Sequence, residues 1–290
     1  MNAPKEIAFP ERFIFTVASG RCGQASFTEW INCHVPDAHA AFEEPHARVR
    51  LPGFLGDVER RVRRQFVETD ELLGRGRVLA AYARGDDGYL ARVAAKRVAM
   101  AGRWCAAANK SIYVDVSKYY ARGLHAGFSR VVPRFGLAIL LRDPVANMRS
   151  FLNRGKDFFK DNARPDAPRN CLRMTDPDLA KGELYLWAWC EMYLRYLQLR
   201  HSGQVTHVAE IPTRDLDNAG RMAEHFRALD LPHRPLVRVP VRNTNLEAGR
   251  GATAVSAEDL RLFERFMNRL PASALDSLSV LRTYAPQVAA

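Results

Sequence analysis

The stretch Phe13–Trp30, FIFTVASGRCGQASFTEW, constrains the fold of this chain more than any other. Phe13-Ile14-Phe15-Thr16-Val17 is a short run of aromatic and β-branched residues, the composition of a buried strand. Ala18 to Gly23 is a turn of small residues, and its glycines Gly20 and Gly23 permit positive φ and close backbone approach. From Gln24 onward, Phe27, Trp30 and Ile31 recur at helical spacing. Strand, glycine turn and helix in that order aim backbone N–H groups and the positive end of a helix at an anion. Arg21 places a permanent, fork-shaped cation inside the turn. A phosphate or sulfate group suits that geometry. The turn is not a Walker A loop, because no Lys-Ser or Lys-Thr follows Gly23. An ordinary strand-to-helix turn with an incidental arginine would carry the same signature.

The remaining chain alternates strands and helices. Ser111 to Val116 predicts a second strand with Ser117-Lys118-Tyr119 at its carboxyl end, where ligands bind in open parallel sheets. Leu137 to Leu141 predicts a third strand, which ends in Arg142-Asp143-Pro144 and opens a helix carrying Ser150. A long amphipathic helix runs from Leu179 to His201, with Trp187, Trp189, Tyr193 and Tyr196 read as core packing. Val205 to Ile211 is a fourth strand, Leu216–Leu229 a helix, Val237–Val241 an extended piece, and Ser256 caps a final helix. Cys33 to Arg50 reads as a loop, and residues 155–176 as a polar connection long enough to move over a site. Residues 57–103 predict two or three helices, with Val58, Val62 and Phe66 on an apolar stripe and arginines on solvated faces. No internal repeat or Gly/Ser linker interrupts the chain. The expectation is one three-layer α/β domain over residues 1–290, with a mostly parallel sheet of about five strands. Phe13–Val17 should be central, flanked by the strands ending at Val116 and Leu141.

Composition narrows the function classes. Apolar residues make up 47% of the chain, ample for a core, and the net charge of +11 points to polyanionic partners such as nucleotides or anionic glycans. The five cysteines form no CxxC pair, so neither a zinc site nor a disulfide framework is signalled, and no metal is expected. The N-terminus lacks an apolar leader core and no run reaches about 18 apolar residues, so no transmembrane segment and a cytoplasmic location are expected.

Two separated motifs together resemble the family of sulfotransferases that use 3′-phosphoadenosine 5′-phosphosulfate (PAPS), in its bacterial and carbohydrate-type branch. FIFTVASGRCG followed by a helix is similar to their 5′-phosphosulfate loop. LAILLRDPVANMRS is similar to their 3′-phosphate motif, a strand, an arginine, seven residues and a serine, matched by Arg142 and Ser150. The resemblance covers roughly residues 12–32 and 111–155. It implies a P-loop-like fold, PAPS as donor, and a hydroxyl- or amine-bearing acceptor, with no nucleic acid partner. It implies nucleotide contacts from Ser19, Gly20, Arg21, Cys22, Gly23, Gln24, Ala25 and Ser26, and from Arg142 and Ser150. Cys22 stands where serine is usual, and Gln24 and Ala25 where two hydroxyl residues are usual. A late glycine-rich basic loop closes over the 3′-phosphate in relatives, a part Arg250-Gly251 would take here. The acceptor's proton needs a base, for which Glu44 is the first candidate, then Glu43 and His46, with Lys118 assisting the leaving group. Two other readings compete. A P-loop-like kinase or nucleotide hydrolase lacks its Walker lysine and has only Asp115 and Asp143 as evident metal-holding acids. A non-catalytic basic protein that binds anionic polymers would interleave its cations with exposed aromatics, whereas these aromatics mostly fall at core spacing.

Overall fold

Among the described residues five strands pair in parallel throughout, in the order β2-β3-β1-β4-β5. They are β1 (Arg12–Val17), β2 (Ala38–Phe42), β3 (Ile112–Val116), β4 (Phe135–Leu141) and β5 (Val205–Pro212). The computed structural model describes residues 9–45, 51–153, 164–175, 178–237 and 254–284. Every residue of β3 and β4 is buried, as expected for strands covered by helices on both faces.

The two faces of β1 feed two cores. Phe13, Phe15 and Val17 point into the larger one, and Ile14 and Ala18 into the other. The smaller core is closed by α1 (Gln24–His34), a 3₁₀ turn (Thr213–Asp217) and α9 (Ala219–Ala228), through Phe27, Trp30, Leu216 and Phe226. The opposite layer holds α4 (Arg77–Arg84), α5 (Asp87–Ala108), α6 (His125–Val131), α7 (Pro144–Leu152), α8 (Lys181–Arg200) and α10 (Ala257–Arg269). Thr16 is the one buried polar residue of β1. Its hydroxyl donates to the Asp115 carbonyl at 3.0 Å and accepts from the Ser117 amide at 3.1 Å, pinning the carboxyl end of β3 to that of β1.

The three-layer architecture and the central place of Phe13–Val17 between β3 and β4 are as the sequence predicts. Four details differ. The segment read as a loop after the first helix contains β2, an AHAAF strand of weak β propensity. Pairing with β3 from Ala38↔Ile112 to Phe42↔Val116, together with burial, decides its conformation. Residues 53–108 form four helices, which add α2 (Gly53–Phe66) and α3 (Glu68–Leu73) to α4 and α5. Gly74 and Gly85, at φ 94° and 77°, end α3 and α4 in the left-handed conformation, whereas Gly88 sits inside α5 and breaks nothing. The stripe of Val58, Val62 and Phe66 is exposed on α2 and packs into no core. Finally, residues 164–175 are tied down. Leu172 and Met174 are buried, and the Glu191 carboxylate accepts from the amides of Cys171 and Leu172. Short helices α11 (Ala272–Leu275) and α12 (Val280–Tyr284) follow α10. Most of the extended piece expected at 237–241 lies outside the described residues.

Candidate active site

The site gathers at the carboxyl ends of the strands, around the turn between β1 and α1. Gly20, Arg21 and Gly23 all have positive φ, at 97°, 62° and 82°. Successive left-handed residues turn neighbouring backbone N–H groups toward one side, forming an anion-binding concavity. Gly23 is also the N-cap of α1. It has no side chain, so the first-turn amides of α1 receive no side-chain cap and keep their charge directed out of the turn. A Cβ at Gly23 would lie 2.1 Å from Leu216 Cδ1, so close packing as well as φ requires glycine here.

Each neighbouring element grips this loop. Arg142, at the end of β4, donates from Nη1 to the Arg21 carbonyl at 3.0 Å. Asn147, on α7 and fully buried, donates from Nδ2 to Ser19 Oγ at 2.8 Å. Ser150 lies one turn further along α7, on the same side and also buried. Tyr185 on α8 donates its hydroxyl to the Gly20 carbonyl at 3.0 Å, and Arg122 donates to the Ser19 carbonyl at 3.2 Å. Trp189 Nε1 donates to the Arg142 carbonyl at 3.1 Å. Trp187, Trp189 and Tyr196 are buried as the sequence predicts and Tyr193 is only partly buried, while Tyr185 and Trp189 also use their polar tips to hold the loop and Arg142. A small cavity opens beside the start of the loop, lined by Ser19, Leu141, Trp189 and Tyr193 among others.

The unusual loop residues have local explanations. Cys22 is fully buried among Phe27, Trp30 and Leu216, and burial pushes its thiol up to about 11. It therefore serves as a small core residue at the base of the loop. Gln24 and Ser26 are buried and Ala25 is partly exposed. The Gln24 side-chain nitrogen has no hydrogen-bond partner among the described residues. A buried donor at the first residue of a helix that follows an anion loop is an orphan that a bound anion would satisfy.

A second cluster joins the ends of β2 and β3. Lys118 Nζ meets Glu43 Oε1 at 2.7 Å, and the Lys118 stem passes over Gly20, its Cδ 3.3 Å from where a Cβ would stand. Arg75, Lys118 and Arg122 all approach the Tyr119 ring, at 4.7, 4.8 and 5.6 Å from its centroid. Burial pushes the Glu43 carboxyl up, but Lys118, Arg75 and Arg122 together outweigh it and hold the group below the ordinary glutamate range. Glu44 is placed differently. Its carbonyl accepts from Arg97, and its carboxylate acts on His39 and Tyr113, residues of the β2 and β3 strands. His46, Arg250 and Gly251 lie outside the described residues. Neither acid that a nucleotide-bound metal would need is offered to the loop. Asp115 is buried in an ion pair with Arg97 at 2.9 Å, and Asp143 caps α7 by accepting from the Ala146 amide at 2.6 Å.

Sequence reasoning missed Asn147, Tyr185, Arg75 and Arg122. Asn147 carried a usable signal, because it shares the Arg142-to-Ser150 stretch and lies one turn before Ser150. Arg75 and Arg122 carried none, since only tertiary packing brings them to Tyr119.

No family model matches the chain, and no curated protein matches it. Among solved structures it is similar to the sulfotransferase domain from the Synechococcus PCC 7002 olefin synthase. That likeness has 14% identity and a TM-score of 0.48, and covers 99% of this chain and 98% of that one. The chain is also similar to a sulfotransferase from Alicyclobacillus acidocaldarius, at 17% identity and a TM-score of 0.37, over 90% of this chain and 97% of that one. Identities and scores this low assign neither activity nor residues.

Proposed function

We propose that this protein is a PAPS-dependent sulfotransferase that moves a sulfuryl group to a hydroxyl or amine of an acceptor. One observation carries the reading: Arg142 bonds directly to the Arg21 carbonyl across 121 residues of chain, so the two motifs that resemble the nucleotide loops form one surface. Positive-φ turn, uncapped helix end and Arg21 suit the 5′-phosphosulfate, and Arg142 with Ser150 suits a 3′-phosphate. The buried Gln24 amide supplies a further donor on the loop side.

In the proposed reaction the acceptor oxygen or nitrogen bonds to sulfur while the bond from sulfur to the bridging phosphate oxygen breaks. The acceptor's proton passes to a base, and 3′-phosphoadenosine 5′-phosphate leaves. Glu43 is the better base of the two described candidates, because its carboxylate meets Lys118, whose stem passes over Gly20 of the loop. Held ionised by its three cations, Glu43 is ready to accept a proton at neutral pH, though its depressed pKa makes it a weak base. As charge grows on the leaving phosphate, Lys118 would be drawn toward it, stabilising that charge and returning basicity to Glu43.

Calorimetric titration tests the reading. The protein should bind 3′-phosphoadenosine 5′-phosphate well above AMP and ATP. Equal affinity for all three, or preference for ATP, would overturn it.

A further inference from the structure

Helix α2 is turned the opposite way from an ordinary surface helix. Its Gly56 is buried and its Glu59, Arg60 and Arg63 are partly covered, so the polar side faces the protein. Phe54, Leu55, Val58, Val62 and Phe66 are exposed, Phe54 at 80% and Phe66 at 75%. At 3.6 residues per turn these five side chains fall within an arc of about 120° along the helix. Leu51, just before the helix, is exposed as well. Among helices and strands, α2 packs chiefly against α3. Soluble helices bury such an arc, and a contiguous exposed apolar stripe marks an interaction surface.

We propose that α2 is an interfacial helix that docks the protein on an anionic lipid bilayer. Charge complementarity selects that occupant. The helix carries Arg60, Arg61, Arg63 and Arg64 against Asp57 and Glu59, within a chain of net charge +11. Arg60 and Arg63 are steadied by Asp57 at 2.6 Å and Glu59 at 2.9 Å, and Arg61 is exposed beside the apolar arc. A narrow apolar stripe with phenylalanines near both ends, flanked by the exposed Arg61 and low in mean hydropathy, is what lies flat at a headgroup boundary. Anionic headgroups attract Arg61 and the chain's net positive charge. A second copy of the chain would bring like charge to like charge. No helix among the described residues is long and apolar enough to cross a membrane, so the attachment is peripheral. The chain leaves the sheet for α2 just after Glu43 and comes back after α3 at Arg75, and both residues belong to the cluster around Lys118. The bilayer would therefore lie beside the mouth of the candidate site. The inference does not depend on which group the site transfers.

Co-sedimentation of the full chain with phosphatidylcholine vesicles, with and without phosphatidylglycerol, tests it. Binding should require phosphatidylglycerol and weaken as salt is raised. Phe54→Ser/Phe66→Ser should lower vesicle affinity by at least about tenfold, through lost apolar burial, with an unchanged melting temperature because both rings are exposed. Arg61→Glu should lower it as well. Absence of binding to the anionic vesicles, or equal binding by the Phe54→Ser/Phe66→Ser variant, would overturn the proposal. So would a concentration-dependent dimer, without vesicle binding, that the same variant abolishes.

Discussion

Replacing Gly23 with alanine tests the loop where conformation and packing converge. Alanine at φ 82° meets the left-handed penalty of roughly 1–2 kcal/mol. The new Cβ would sit 2.1 Å from Leu216 Cδ1, and Leu216 is fully buried with its carbonyl accepting from Trp30 Nε1 at 2.7 Å. Moving Leu216 away from its place between α1 and α9 is an overpacking cost of about 1–3 kcal/mol. Reduced freedom of the unfolded chain returns about 0.4–1 kcal/mol. The net expectation is a loss of roughly 1–4.5 kcal/mol, read as a lower urea midpoint with unchanged slope. Leu216→Ala alone should cost about 2–5 kcal/mol through its cavity. In the double variant the overlap is gone while the left-handed penalty stays, so the cost should fall short of the sum by roughly 1–3 kcal/mol. A Gly23→Ala loss below about 0.5 kcal/mol, or additivity within about 0.5 kcal/mol, would refute the packing argument.

Other outcomes follow from the same geometry. Glu43→Gln should cut turnover by roughly a hundredfold while leaving nucleotide affinity nearly intact, and near-normal turnover would return the role to Glu44 or His46. In the wild type, the acid limb of kcat/KM should fall below the ordinary glutamate value of about 4.3, and Lys118→Met should move it up. The sign is fixed because Lys118 holds Glu43 deprotonated. For the same reason Glu43 stabilises the fold above its unfolded pKa, a contribution lost as pH drops through its lower folded pKa. Arg97→Leu should destabilise by about 3–5 kcal/mol in thermal unfolding, because it strands Asp115 in a buried site, and adding Asp115→Leu should recover much of that loss.

Local signals were legible in the sequence and tertiary ones were not. The β1 turn could be read because strand, glycines and helix are contiguous, and Arg142, Asp143 and Ser150 because they share one strand-to-helix junction. β2 could not, since alanines supply little β propensity and only the free edge of β3 makes Ala38–Phe42 a strand. The outward face of α2 was equally hidden. Helical periodicity shows that Val58, Val62 and Phe66 share a side, and only packing shows that the side meets solvent. For the two adjacent glutamates the sequence ranks Glu44 ahead of Glu43, and it carries no signal of which carboxylate reaches Lys118. The positive φ of Glu43, at 46°, turns the chain at the end of β2, and the Glu43 carboxylate meets Lys118.

The central claim, that the β1 turn and the Arg142–Ser150 segment bind a nucleotide with phosphates at both ends, is tested most directly by matched titrations of Arg142→Ala and Ser150→Ala. The two ligands are 3′-phosphoadenosine 5′-phosphate and AMP, which lacks the 3′-phosphate. Losing a charge-assisted hydrogen bond costs about 1.5–3 kcal/mol, roughly 10- to 150-fold in affinity. Arg142→Ala should therefore weaken the 3′-phosphorylated ligand by that factor. AMP should weaken less, through the lost bond to the Arg21 carbonyl alone. Ser150→Ala, which leaves that bond in place, should lower affinity for the 3′-phosphorylated ligand and spare AMP. Equal weakening of both ligands in both variants would contradict the account.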